Sequence, residues 1–160
     1  MLNAAEPLEF AVGAFKFERP SGWKWIVPSS AMRKAQLQIG GEGNDPAEVT
    51  FFHFGSGQGG GIQANVDRWV GQFQDGEHSN FEKTFGGTRV VFVTAEGTFF
   101  SGMPGGALTP KPNYGLRGAI LEHPEKGDVF VKMTGPKSLV VSVADQFDKM
   151  IQFAAESLRK

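Results

Sequence analysis

Residues 48–76 read EVTFFHFGSGQGGGIQANVDRWVGQFQDG, and a change of hydrophobic period inside them decides the fold. Val49, Phe51 and His53 alternate with Thr50, Phe52 and Phe54, the period of a strand. Seven residues later the period is helical. Ile62, Val66, Trp69, Val70 and Phe73 fall at i, i+4, i+7, i+8 and i+11, one stripe of an amphipathic helix, with Gln63, Asp67 and Gln72 facing away. Gly76 closes the helix, and Gly55–Gly61 joins it to the strand.

On the N-terminal side the sequence reads as strands. Leu8–Phe17 is a first strand ended by the turn at Pro20-Ser21-Gly22. Trp23, Trp25 and Val27 alternate with Lys24 and Ile26, a short strand stopped by Pro28. In Arg33–Ile39, Ala35, Leu37 and Ile39 alternate against Lys34, Gln36 and Gln38, a half-buried strand followed by the polar turn Gly40–Pro46.

On the C-terminal side Thr88–Glu96 is β, with Val90, Val91, Phe92 and Val93 at its centre. Leu116–Glu122 and Val129–Met133 form a hairpin across residues 123–128, and Gly135-Pro136 breaks the pattern. From Ser138 onward Leu139, Val140, Val143, Phe147, Met150, Ile151, Ala154 and Leu158 mark a long helix. Ser138 is placed to cap it, and Arg159-Lys160 suit its C-terminal dipole.

Runs of strands with two helices, each carrying one apolar stripe, predict an α+β fold: a central antiparallel β-sheet flanked by helices. A doubly wound α/β fold would need alternating helices. No internal repeat or linker divides the 160 residues, so one domain spanning 1–160 is expected, with residues 1–7 disordered.

Bulk composition narrows the function. The net charge is −1, the sum of −3 over residues 1–80 and +2 over 81–160, and the densest basic pair is Arg33-Lys34. Nucleic-acid binding rests on clustered Lys and Arg, so no nucleic-acid partner is expected. There is no cysteine, which excludes disulfides, thiolate metal sites and cysteine nucleophiles. No apolar run approaches the ~18–20 residues of a membrane span. Residues 1–7 lack a basic segment and an apolar core, yet Asn3-Ala4-Ala5-Glu6-Pro7 resembles the chain around a small-residue cleavage site. A removed leader is one reading, an ordinary frayed terminus the other.

Several constellations carry candidate chemistry. Gly55–Gly61, with Gly57 and Gly59 at its centre, lets backbone amides approach an anion at a helix start. Ile62-Gln63 stands where a phosphate loop needs Lys and Ser or Thr, and the match to a dinucleotide glycine pattern lacks a parallel βαβ context. The simpler reading of the glycines is a plain flexible turn or a tight helix entry. Arg68 flanks the helix stripe, where a guanidinium can bind an anion or lay its stem over the core.

Gly97–Gly115 reads as a long loop, above the usual ~12–15 residues. Phe99, Phe100, Met103, Leu108 and Tyr114 are its apolar anchors, available to a partner or ligand. Alternatively Phe99 and Phe100 extend the preceding strand and the rest covers the core edge. Trp69 belongs to the core stripe. His53, His78 and His123 form no ligand-spaced pair, so no metal and no cofactor are expected. Ser56 has Phe54 and Gln58, not glycine, two residues away, so the nucleophile elbow is absent.

Three stretches together resemble a known family. Gly22-Trp23-Lys24 with Val27-Pro28 is similar to the opening of PsbP-like domains, the fold of the extrinsic photosystem II protein, shared with a nuclear-import Ran-binding factor. Ala64–Trp69 resembles that family's first helix. Val129–Pro136, leading to a helix with Phe147 and Ile151, resembles its close. A bacterial group of exported proteins of unknown function shares this pattern most nearly. The resemblance implies helices on both sides of the sheet, a periplasmic or secreted location and no enzyme activity. It carries over no photosystem partner, because no functional motif of that kind is present.

The sequence therefore predicts a non-catalytic binding or accessory domain with a protein partner engaged through residues 97–115. The alternative is a small-ligand or anion-binding protein, enzymatic or not, built on Gly55–Gly61 and Arg68. A monomer, or a weak dimer through a sheet edge, is expected.

Overall fold

Alternation builds the sheet, and each strand sends its odd and even residues to different layers. The structure, a computed structural model, describes residues 7–28, 30–41, 45–55, 61–101 and 108–158. The elements in chain order are β1 (Glu9–Val12), β2 (Phe15–Glu18), β3 (Lys24–Trp25), β4 (Arg33–Ile39), β5 (Ala47–His53), α1 (Ile62–Val70), β6 (Phe73–Gln74), β7 (His78–Phe85), β8 (Thr88–Ser101), β9 (Thr109–Leu121), β10 (Val129–Pro136), α2 (Lys137–Ser142) and α3 (Ala144–Glu156). The main sheet runs β3-β4-β5-β10-β9-β8-β6, with β7 also on β8, and every pairing is antiparallel.

One face packs under α3 and the separate β1–β2 hairpin. Leu37, Val49, Phe51, Phe92, Leu121 and Val131 meet Phe15, Phe17, Phe147 and Ile151 there. The opposite face packs under α1, where Val91, Val93, Leu116, Ile120 and Phe130 meet Val66 and Trp69. The α+β sheet flanked by helices is thus the predicted architecture, with helices on both sides.

The structure corrects several element boundaries. Leu8–Phe17 is a hairpin rather than one strand, turning at Gly13 with φ +58°. β3 ends at Trp25, and Val27 lies 79% exposed. α1 stops at Val70, so Phe73, assigned to the helix stripe, belongs to β6 and pairs Phe99. β7 escaped the sequence reading because nearly all its residues are exposed, leaving no apolar face to mark it. Gly135 and Pro136 stay in β10, paired with Gly115 and Tyr114. The C-terminal helix is two helices broken at Val143. Ser138 does not cap it; Pro136 holds the N-cap position with no side-chain bond.

The largest correction concerns residues 97–115. Most of this segment is strand: β8 continues to Ser101 and β9 begins at Thr109, with Phe99 opposite Lys111 and Gly97 opposite Tyr114. The strand extension weighed for Phe99 and Phe100 is what the fold adopts, and Met103 lies outside the described residues. The ladder shifts register between Gly97 and Phe99. Gly97 has φ +132°, and a Cβ there would lie 2.2 Å from the Gln74 carbonyl oxygen. The β6 turn therefore passes over β8 at a distance only glycine permits.

Candidate functional site

Toward the β3 edge, the α1-facing side of the sheet changes character. There β5 presents Glu48, Thr50 and Phe52, while β10 presents Thr134, Lys132 and Phe130. Antiparallel register sets them in rows: Phe52 opposite Phe130, Thr50 opposite Lys132, Glu48 opposite Thr134. Arg33 of β4 joins the first row opposite Phe52. The floor therefore grades from aromatic through cationic to hydroxyl and carboxylate. Above it α1 supplies Asn65, Arg68 and Trp69, the following turn supplies Gln72, and β8 supplies Phe99. These residues enclose a cavity of about 420 Å³, within the ~300–1,000 Å³ of small-molecule sites.

A single glycine sets the height of the roof. Gly118 lies opposite Lys132 in the β9–β10 ladder. A Cβ at Gly118 would sit 2.5 Å from Trp69 Cζ3, so its absence lets the indole lie on the sheet. Trp69 then meets Phe130 edge-on at 6.5 Å between centroids, and Phe54 lies 6.2 Å from Phe130. The apolar end is a wall of aromatic rings.

The polar middle holds three cations. Arg33 donates from Nη1 to Gln36 Oε1 at 3.0 Å, and Arg68 from Nη1 to Asn65 Oδ1 at 2.7 Å. Lys132 donates from Nζ to Gln72 Oε1, and its amine lies 6.0 Å from the centroid of Phe99. All three partners are neutral amides. Among the described residues none of these cations forms an ion pair with a carboxylate. Glu48 lines the same cavity without reaching them at ion-pair distance. Lys132 opens to the cavity on one side and is crowded by protein on the others. Burial, then the charges of Arg68 and Arg33, push its amine down to about 8.

Asn65, buried beneath Arg68, also donates from Nδ2 to the Gly61 carbonyl at 2.6 Å. It thereby ties the end of the glycine-rich segment to the guanidinium. Beyond Glu48 and Thr134 the cavity continues into a smaller groove lined by Asp45, Lys111 and Tyr114, with Phe99 shared between the two. Phe99 and Tyr114 stack there at 5.8 Å. Tyr114 Oη donates to Asp45 Oδ2 at 2.7 Å, and burial together with that bond pushes the phenol up to about 12.

Of the residues singled out in the sequence, Arg68 and Phe99 line the cavity and Tyr114 lines the adjoining groove. Phe100 lies in β8 opposite Pro110, away from both. Gly57 and Gly59 lie outside the described residues, as does Met103. Arg33, Lys132, Asn65 and Gln72 were missed. The available signal was Lys132, a lone charge in the apolar strand Val129–Met133. The histidines bind backbone or lie on an exposed strand: His53 Nε2 contacts Lys126 O at 2.7 Å, His123 Nδ1 accepts from Lys126 N at 3.0 Å, and His78 is on β7. No acidic or histidine cluster of metal-site size occurs among the described residues, and none of their helices is long and apolar enough to cross a membrane.

No protein-family profile and no curated protein matches the sequence. Solved structures do. Cyanobacterial PsbP (CyanoP) from Synechocystis sp. PCC 6803 superposes with a TM-score of 0.55 at 10% identity, covering 94% of each chain. LpqN of Mycobacterium tuberculosis, involved in cell envelope biogenesis, superposes with a TM-score of 0.56 at 14% identity, covering 86% of this chain and 81% of that one. The chain has a PsbP-like fold.

Proposed function

We propose that this is a non-catalytic, exported binding protein that holds a small ligand in the cavity between α1 and the sheet. The carrying observation is the set of three cations facing one cavity with amide partners and, among the described residues, no carboxylate ion pair. Like charges held together raise each other's cost, and a bound counter-charge would relieve it. Gln36, Asn65 and Gln72 hold the three cations in place without neutralising them, because an amide carries no charge. The similarity to LpqN, a protein of cell envelope biogenesis, supports the exported location.

This reading takes Arg68 from the ligand-binding alternative and Phe99 from the loop hypothesis. Phe99 and Tyr114, two of the anchors named for docking through residues 97–115, pack on each other, and Tyr114 is 8% exposed, so here they wall the cavity and its groove.

A thermal-shift screen against metals, nucleotides, sugars, lipids and organic anions tests it, run in parallel on Thr134→Trp, which fills the cavity from its rim. The expected result is a rise in melting temperature that the variant loses. A flat screen, or a rise the variant retains, would overturn the proposal.

A further inference from the structure

Resting on the cavity as the binding site, we infer that its ligand is an organic oxyanion: a carboxylate or phosphate head on an aromatic or alkyl body. The two halves of the site are separately built. At one end Phe52, Phe130 and Trp69 offer ring faces and edges, with Arg33 at the margin of that row. An apolar body placed there is removed from water, the term that dominates small-ligand affinity.

One row away along the floor, Lys132 and the guanidinium of Arg68 face the same space. Guanidinium groups present paired donors that match the two oxygens of a carboxylate or the edge of a phosphate, and an ammonium adds a point charge. A neutral ligand would leave these donors without a charged acceptor. A bare inorganic anion would leave the aromatic wall wet. The floor's order places the two parts of the ligand about one strand-residue pair apart, so head and body are directly joined or separated by a short linker.

Glu48 sets the polarity of the far end. It stands beyond the cations, opposite Thr134, and repels a second anionic group placed toward the Tyr114 groove. The site therefore favours one anionic head over a chain anionic at both ends.

Titration calorimetry of the full chain separates the elements of this inference. The probes are phenylpropionate, its neutral amide, phenyl phosphate, acetate and inorganic phosphate. Phenylpropionate or phenyl phosphate is expected to bind at least about tenfold tighter than the amide and than its bare anion, acetate or inorganic phosphate. Comparison of the two phenyl compounds assigns the head. Arg68→Gln, at an exposed position whose loss leaves the core intact, is expected to weaken that binding by about tenfold or more, and added salt to weaken it further.

Equal binding of phenylpropionate and its amide would overturn the oxyanion. Equal binding of the bare anions would overturn the apolar body. If these probes are silent while a neutral sugar binds and Thr134→Trp blocks it, the ligand class is wrong and the cavity reading stands. If nothing binds in either experiment, both fall.

Discussion

Replacing Lys132 with Met removes a cation that the fold holds against its own interest. In the folded protein the Lys132 amine is pushed from 10.5 down to about 8, by burial first and by Arg68 and Arg33 after it. The unfolded chain restores the ordinary value, so between about pH 8 and 10.5 the unfolded state binds the extra proton. Stability therefore rises with pH through that window, and the penalty is fully present below about pH 8. At ~1.4 kcal/mol per pKa unit the shift corresponds to roughly 3 kcal/mol, and water in the open cavity screens part of it, leaving about 1–3 kcal/mol. Met has a similar length and no charge, but it forfeits the bond to Gln72, worth about 1 kcal/mol. The Lys132→Met protein is expected to be more stable than the parent at pH 7 by up to about 2 kcal/mol. That corresponds to a gain of roughly 4–8 °C in melting temperature for a chain of this size. The difference should shrink, and can change sign, as the pH approaches 10.5. Urea unfolding of both proteins at several pH values, with unchanged m, measures this directly. A variant destabilised by the same amount at every pH would refute the reasoning, since Lys132 would then act by packing and not by charge.

Further predictions test the roof, the cations and the frame. Gly118→Val puts atoms where Trp69 now lies, 2.5 Å from its ring, and is expected to cost about 1–3 kcal/mol and shift tryptophan fluorescence as α1 lifts. Arg68→Gln loses the bond to buried Asn65 but relieves the repulsion on Lys132, and the two opposing effects should leave urea stability within about 1 kcal/mol of the parent. Arg117 donates to both oxygens of Asp148 at 2.8 and 2.6 Å, joining β9 to α3. Truncating either to Ala should cost about 1–3 kcal/mol, and a double-mutant cycle should show coupling above about 0.5 kcal/mol. Gly97→Ala combines a positive φ with a 2.2 Å approach to Gln74, and circular-dichroism melting should show a loss of more than about 2 kcal/mol.

Much of the frame was legible because burial writes itself into period. Along β4, β5, β9 and β10 the residues facing α3 and the β1–β2 hairpin recur at every second position, and α1 and α3 carry their stripes at helical spacing. Where one side is not buried the signal disappears. β7 carries no stripe because water lies on nearly all of it, and the β8–β9 extension was masked by the Gly and Pro residues of 97–115. The break at Val143 left the apolar spacing across α2 and α3 continuous enough to read as one helix.

The candidate site divides along the same line. Arg68 and Phe99 were identifiable as residues with chemistry to offer, yet nothing in their spacing joined them to each other or to Lys132. Sequence by itself determined the alternation that sends Thr50, Phe52, Phe130 and Lys132 to one side of their strands, because side-chain direction in a strand depends on the local backbone alone. Which strands became neighbours, and that Arg33, Arg68 and Lys132 would share one cavity, was decided by tertiary structure. Those three are separated by 35 and 64 positions along the chain. The β4–β5 and β5–β10 registers and the close seat of Trp69 over Gly118 bring them to a common space.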